Sequence, residues 1–124
     1  MSSKTIIAAK EDTPEVTHEL LDGLNRVSIQ GVSMPENTLE FYTPLTDTLE
    51  SIFGSSAKNQ LIFNLNYLNS MSNKQVLKLI FSLSKKDPNI SIIWKYGNQD
   101  ELIKMKGEEI KNILSEVNIS LESL

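Results

Sequence analysis

The sequence predicts an α/β fold in which about three helices pack on a mixed sheet that starts with an antiparallel ribbon. Two observations predict it. After Gly31, segments whose apolar residues have helical spacing alternate with segments whose apolar residues have strand spacing. Near the start of the chain, an Asp-Gly pair separates two strand-like segments. A parallel connection needs a crossover about as long as a helix, so the alternation favours at least one parallel strand pair. The length of 124 residues suits one domain, 1–124.

The N-terminal quarter is predicted to form the antiparallel ribbon. Residues 4–9, "KTIIAA", and the segment from Val27 to Ile29 have the composition of short strands. The stretch "LLDGLN" between them carries the Asp-Gly signal of a hairpin turn. We therefore expect two short strands here, with the single histidine, His18, in the ribbon.

The first helix is predicted over 39–53, where apolar residues recur every three or four positions up to Gly54. Either "SMPE" (33–36) or "NTLE" (37–40) is suited to cap its start. Pro44 has no backbone N–H, so we expect it to bend this helix or to delay its beginning.

Strands and helices are predicted to alternate in the rest of the chain. Strand residues alternate between apolar and polar or form a short apolar run, and helices carry an apolar stripe. The predicted elements are a strand at 60–69, a helix at 72–86, a strand at 90–96, a helix at 100–117 and a short last strand at 119–121.

Several classes of active site are not supported by the composition. The chain has no cysteine and one histidine, so neither a thiolate metal site nor a nucleophile with an adjacent imidazole base is indicated. The stretch "FGSSAKNQ" (53–60) lacks the second glycine and the Gly-Lys-Ser/Thr ending of a phosphate-binding loop, and we interpret it as a helix-to-strand turn. No cofactor, metal or catalytic residue is expected.

Charge and hydropathy also limit the partners and the location. A formal net charge of −4 is unfavourable for nucleic-acid binding, which needs clustered cations. No apolar run is long enough for a membrane helix, and the first residues lack the apolar stretch of a secretory signal. We expect a cytoplasmic protein that neither binds nucleic acid nor inserts into a membrane, and whose partners are proteins.

The join at 69–75 is the place where function is expected. Ser72 and Gln75 fit a capping box, and Met71 and Val76 fit the flanking hydrophobic staple, so Ser72 is predicted to cap the second helix. Ser70 is then left outside the helix as a free hydroxyl at the rim of the sheet, where functional groups collect. On the residues alone, an ordinary loop residue is the simpler interpretation of Ser70.

Four segments resemble one protein family, in the same order and over nearly the whole chain. They are "TPEV" (13–16), "GVSMPENTLEFYTPL" (31–45), "FNLNYLNSMSNK" (63–74) and "IIWKYGNQDE" (92–101). In combination they resemble the SiaC family of bacterial regulatory phosphoproteins. This resemblance implies a fold similar to STAS domains and anti-sigma-factor antagonists.

The resemblance also implies a mechanism. The family's phosphorylated threonine falls on Ser70, with Ser72 as the runner-up, and the phosphate is added by a dedicated serine/threonine kinase and removed by a PP2C-like phosphatase. The unphosphorylated form is expected to bind and activate a diguanylate cyclase, which links the switch to cyclic di-GMP, biofilm and aggregation. The expected partner-binding residues are Asn69, Ser70, Met71, Ser72 and Lys74.

Three positions depart from the family's pattern. Met34 stands where an aromatic residue is usual, Met71 stands where a small hydroxyl residue is usual, and the acidic run after Tyr96 is thinned to "GNQDE". These changes lie on expected contact surfaces, so they bear on which partner is bound more than on the phosphorylation of Ser70. Two other functions stay open: a small-ligand module or enzyme that uses the crevice at the sheet edge, and a structural subunit that lends an apolar helix face to an assembly.

Overall fold

The computed structural model describes residues 2–54 and 57–124. Within these residues the chain forms six strands and three helices. In chain order they are β1 (Ser2–Ile7), β2 (Glu15–Leu21), β3 (Leu24–Ser33), α1 (Thr38–Ile52), β4 (Lys58–Leu68), α2 (Ser70–Lys86), β5 (Ser91–Tyr96), α3 (Glu101–Ile113) and β6 (Asn118–Ser123).

The six strands form one mixed sheet in the order β1-β2-β3-β4-β5-β6. Strand β2 pairs antiparallel with β1 and with β3, whereas β3, β4, β5 and β6 run parallel to one another. Each parallel connection contains one helix, as a crossover between adjacent parallel strands requires. The predicted mixed sheet with an antiparallel N-terminal part is confirmed.

The N-terminal ribbon has three strands, so the prediction of two is wrong. The Asp-Gly pair does form a hairpin turn, in which Gly23 has a φ of 71°, but it joins β2 to β3. Strand β2 contains His18, as predicted for the ribbon. The sequence does not predict it as a separate strand because polar residues interrupt its apolar pattern. Strand β1 also lies two residues earlier than the predicted 4–9.

All three helices lie on one face of the sheet. Asn25, Asn59 and Trp94 share that face, because Asn25 pairs with Asn59 in register and Phe63, four residues further along β4, pairs with Trp94. Asn25 donates to the carbonyl of Ile52 at the end of α1, Asn59 donates to Asp87 at the end of α2, and Trp94 donates to the carbonyl of Ile103 in α3. The core therefore lies between this face and the helices.

The core is built from apolar residues of the sheet and of the inner helix faces. It includes Val27, Ile29, Leu61, Phe63, Leu65, Ile92 and Trp94 from the strands, and Tyr42, Leu45, Leu49, Val76, Leu79, Ile80, Leu83, Ile103 and Ile110 from the helices. Phe63 and Trp94 pack with ring centroids 5.4 Å apart. None of the helices described is both long and apolar enough to cross a membrane.

Helix ends differ from the prediction by a few residues. Helix α1 begins after Asn37, whose side chain accepts the Glu40 amide at 3.1 Å, so "NTLE" and not "SMPE" supplies the cap. Pro44 lies inside α1 on its exposed side and does not delay its start. Helix α3 ends at Ile113, four residues before the predicted end at 117, because the chain turns there towards β6.

The segment 53–60 joins α1 to β4. Ser55 and Ser56 of the predicted turn lie outside the described residues. On either side of them, α1 ends at Ile52 and β4 starts at Lys58, which is a helix-to-strand connection as predicted.

Candidate functional site

The candidate site lies at the edge of the sheet where the parallel strands end and the three helices begin. At this edge β4 ends at Leu68 and α2 begins at Ser70, with only Asn69 between them. The Asn69 amide donates to the carbonyl of Ser33 at the end of β3, at 3.1 Å. This hydrogen bond fixes the junction against the neighbouring strand.

Asn69 caps α2. Its side-chain oxygen accepts the amide of Ser72 at 2.8 Å, and its backbone carbonyl accepts the amide of Asn73 at 2.9 Å. The predicted capping box with Ser72 as the N-cap is therefore wrong, and Ser72 lies within the first turn. Asparagine is as good an N-cap as serine. Because Ser72 is buried within the first turn, Asn69 takes the cap position and the helix begins two residues earlier than predicted.

Ser72 belongs to a buried network of three hydroxyl groups. The Ser33 hydroxyl donates to the Ser72 Oγ at 3.0 Å, and the Tyr42 hydroxyl lies 2.5 Å from the Ser33 Oγ. All three side chains are almost fully buried. Since the single Ser33 proton is used toward Ser72, Ser33 accepts the Tyr42 proton, and the network joins β3, α1 and α2.

Burial raises the pKa of Tyr42 above its ordinary value of 10.0, and hydrogen bonding with Ser33 and Ser72 opposes this only in part. A phenol buried in this way stays neutral and acts as a hydrogen-bond donor at neutral pH. The hydroxyl network is therefore uncharged, and none of its members provides a base that could activate a serine nucleophile.

Ser70 lies outside this network. It is the first residue of α2 and its side chain is exposed. The five predicted partner-binding residues all lie at this helix start, but they differ in accessibility: Ser70, Met71 and Lys74 are exposed, Asn69 is partly buried and Ser72 is fully buried. This favours Ser70 over the runner-up Ser72 as a modification site.

Exposed apolar side chains lie at the same edge of the sheet as Ser70, and we call them the apolar rim. They extend from the ends of the parallel strands and from the first turns of the helices. The apolar rim consists of Met34, Leu39, Tyr67, Met71 and Leu102, with exposed fractions of 43%, 57%, 45%, 55% and 49%. Apolar surface gathered beside a single polar site is typical of a protein interface.

The apolar rim was only partly visible in the sequence. Tyr67 continues the alternation of Leu61, Phe63 and Leu65, which predicts a buried residue. The pairing of β3 with β4 shifts after Gly31, so that Gly31 pairs with Leu65 but Val32 pairs with Tyr67. This irregularity reverses the alternation and exposes Tyr67, and no local pattern in the sequence signals it.

A lysine from α3 reaches the same junction. The Lys106 ammonium donates to the carbonyl of Leu68, the last residue of β4, and this contact is partly buried. Within residues 2–54 and 57–124 Lys106 makes no ion pair; the ion pair found there joins Arg26 to Glu19 at 3.8 Å. The junction thus has a cation that no carboxylate neutralises.

Two clear cavities lie away from this junction. A groove of 420 Å³ separates the C-terminal parts of α2 and α3, and a recess of 660 Å³ includes Asn59 and Asp87 at the opposite edge of the sheet. Neither is lined by the residues around Ser70. The alternative of a ligand site in the crevice at the helix starts therefore gains no support from them.

Comparison with known proteins places the chain in a family. The model of the SiaC family regulatory phosphoprotein matches residues 7–124. The chain is also 27% identical over 109 residues to an uncharacterised protein of Pseudomonas aeruginosa strain UCBPP-PA14, a match that covers 85% of each sequence.

Three solved structures have a similar fold. SiaC of Pseudomonas aeruginosa in complex with the diguanylate cyclase SiaD, which it activates, matches with a TM-score of 0.81 and 24% identity over 95% of this chain and 98% of that one. SiaC of the same species matches with a TM-score of 0.79 and 24% identity over 100% of both chains. Its apo form matches with a TM-score of 0.80 and 25% identity over 98% of this chain and 99% of that one.

Proposed function

Because the chain belongs to the SiaC family of regulatory phosphoproteins, we propose that it is a non-enzymatic partner switch controlled at Ser70. The observation that carries the proposal is the position of Ser70, an exposed hydroxyl at the start of α2, at the same edge of the sheet as the apolar rim. In its unphosphorylated form the protein binds and activates a diguanylate cyclase. The structure of SiaC with the cyclase SiaD supports this choice of partner.

Phosphorylation reverses this state. A dedicated serine/threonine kinase transfers the γ-phosphoryl group of ATP to the Ser70 Oγ; the new O–P bond replaces the bond to ADP, and the hydroxyl proton passes to a base of the kinase. A PP2C-like phosphatase hydrolyses the ester and returns serine and inorganic phosphate. Exposure of Ser70 on the first turn of α2 gives both enzymes access.

The phosphate is expected to weaken cyclase binding for an electrostatic reason. It adds about −1.5 to −2 charges at neutral pH, beside apolar side chains that must lose water when a partner docks. Burying a charge without a compensating partner is costly. The bare hydroxyl form is therefore the activator and the phosphorylated form is released.

The proposed absence of catalysis rests on the surroundings of the two serines. Among the described residues, the hydrogen-bond partners found for the Ser72 hydroxyl are neutral hydroxyl groups. His18, the single imidazole, bonds to Asn25 at 3.1 Å in the antiparallel part of the sheet. A nucleophile and its base are thus not assembled at the helix start.

The test has two parts. Intact mass is measured after co-expression with a candidate serine kinase, for the wild type, Ser70→Ala and the control Ser84→Ala, which changes another hydroxyl of α2. We expect one added phosphate in the wild type and in the control, and none in Ser70→Ala.

In the second part, the purified cyclase is titrated with the unmodified protein and the phosphoprotein while its activity is followed. The unmodified protein should bind more tightly and raise the activity. Equal or tighter binding by the phosphoprotein would overturn the proposed direction. Phosphate retained in Ser70→Ala would move the site to another residue.

A further inference from the structure

Helix α2 differs from the other two helices in the charge of its first turn. Helix α1 carries Glu40 and α3 carries Glu101 in the first turn, whereas α2 carries no acidic residue there. A negative charge at this position is favoured by the partial positive charge of the helix N-terminus. In α2 the exposed side chain at the first helical position is Ser70, which becomes an anion only when it is phosphorylated.

The second observation is the position of Lys106. Its ammonium is held at the carbonyl of Leu68, two residues before Ser70, by a partly buried hydrogen bond. It comes from a different helix, and in the part of the chain that the structure describes it has no carboxylate partner. A neutral carbonyl is a weaker partner for an ammonium than a phosphate dianion.

We propose that Lys106 is the intramolecular receptor of the Ser70 phosphate. This inference rests on the proposed function, which places the phosphate on Ser70. On phosphorylation the Lys106 ammonium exchanges the Leu68 carbonyl for phosphate oxygens, beside the amides of the first turn of α2. The phosphate is then bound within its own molecule, between α2 and α3. One ammonium offsets only part of its charge of about −1.5 to −2, so the remaining charge still opposes burial when the cyclase docks.

Lys74 is the competing cation, because it lies four residues after Ser70 on the same helix, at a spacing that lets side chains pair. However, Lys74 is exposed, and exposed ion pairs contribute little. Lys106 is already ordered at the junction by its hydrogen bond, so less conformational entropy is lost when it pairs with the phosphate. The two lysines therefore give a direct comparison.

The experiment installs phosphoserine at position 70 by genetic incorporation and follows its titration by phosphorus NMR. The variants are Lys106→Met, which keeps most of the apolar stem, Lys106→Arg, Lys74→Met and the distant control Lys111→Met. A nearby cation lowers the pKa of an acid, and we expect the second phosphate pKa to rise by about 1 pH unit in Lys106→Met. Lys106→Arg should restore the low value, Lys74→Met should have a smaller effect, and Lys111→Met should have none.

An unchanged phosphate pKa in Lys106→Met, or a larger change in Lys74→Met, would overturn the proposal. A second measurement uses the unmutated chain and so does not depend on the folding of a variant. The ammonium NMR signal of Lys106 should shift when position 70 carries phosphoserine in place of serine, and that of Lys111 should not. An unshifted Lys106 signal would also overturn it.

This design separates the inference from the proposed function. The phosphate is installed without a kinase, so the titration reports on Lys106 whichever enzyme modifies the chain in the cell. Failure of a kinase to modify Ser70 would count against the proposed function alone, whereas an unperturbed phosphate would count against Lys106 alone.

Discussion

The Ser33 hydroxyl donates a hydrogen bond of 3.0 Å to the Ser72 hydroxyl, which joins the end of β3 to the first turn of α2. Residues 39 positions apart in the chain are thereby held together at the site. With the Asn69 amide bonded to the Ser33 carbonyl, the start of α2 is attached to β3 by both a side chain and the backbone. Ser70 is thus an exposed residue at a helix start that is fixed in position against β3.

Ser72→Ala should destabilise the fold and Ser70→Ala should not. Removing the Ser72 hydroxyl leaves a buried donor on Ser33 unsatisfied, which costs about 1–3 kcal/mol. Ser70 is exposed, so its replacement should change the free energy of unfolding by less than about 0.5 kcal/mol. Urea denaturation of both variants checks this, and equal midpoints for the two would contradict the buried position of Ser72.

Tyr42→Phe should change the response of stability to alkaline pH. Burial raises the pKa of Tyr42 above 10.0, so the unfolded chain loses the phenol proton first as pH rises. The contribution of this group is fully present below the unfolded pKa and is lost as pH rises through the folded pKa. Urea denaturation near pH 8 and near about pH 11 should show a smaller loss of stability in Tyr42→Phe than in the wild type.

A comparison of Tyr42→Phe with Tyr67→Phe isolates this effect. Tyr67 is 45% exposed and has no part in the hydroxyl network, so Tyr67→Phe is the matched loss of a phenol hydroxyl outside the network. If Tyr42→Phe retains the full loss of stability at high pH, the loss comes from other groups.

The start of α2 shows what the sequence could and could not predict. The strand and the helix follow from local patterns and are present in the structure, and Ser70 is exposed as predicted. However, Ser70 is the first residue of α2 and does not lie outside the helix, as the sequence predicted. The predicted cap is wrong because Asn69 and Ser72 are both good N-cap residues, and the choice between them depends on whether Ser72 can be buried. That burial requires Ser33 and Tyr42, which are distant in the chain.

The same reasoning applies to the apolar rim and to Lys106. Met71 was predicted to be at the partner surface from its position beside Ser70. Tyr67 is exposed only because the β3–β4 pairing shifts, and Lys106 reaches Leu68 only because α3 packs on the same face as α2. The exposure of Tyr67 and the position of Lys106 both depend on contacts between elements that are far apart in the chain. Apolar residues that recur every two or every 3.6 positions predict strands and helices, but they do not predict such contacts.

Gly107→Ala should be destabilising although alanine is the better helix former. A Cβ at position 107 would lie 2.3 Å from Cδ1 and 2.6 Å from Nε1 of Trp94, and the Trp94 ring is buried and bonded to the Ile103 carbonyl at 2.9 Å. Overpacking of this kind costs about 1–3 kcal/mol, which exceeds the gain of about 1 kcal/mol in helix propensity.

Thermal unfolding and tryptophan fluorescence check the Gly107→Ala prediction, since Trp94 is the only tryptophan. The melting temperature should fall and the emission should shift as the ring is displaced. Ser115→Ala, in the exposed turn after α3, is the matched control and should change neither. A melting temperature for Gly107→Ala at or above that of the wild type would mean that α3 moves away from Trp94 at no cost.

Met71→Ser should weaken binding to the cyclase if the apolar rim is the docking surface. Met71 is 55% exposed beside Ser70, and burying a methionine side chain contributes about 1.5–3 kcal/mol. Because this side chain is already half buried, we expect the dissociation constant to rise by roughly tenfold, which corresponds to about 1.4 kcal/mol. Phe81→Ser is the control: Phe81 is 49% exposed on the same helix, but near its other end.

The two variants distinguish the apolar rim from the groove between α2 and α3, because Phe81 lines that groove. Titration of the cyclase with each unphosphorylated variant gives the dissociation constants. A large effect of Phe81→Ser together with none of Met71→Ser would place docking at the groove, where a phosphate on Ser70 would lie too far away to be desolvated. Weakening by Met71→Ser alone would place the cyclase over Ser70, where the phosphate charge acts directly on binding.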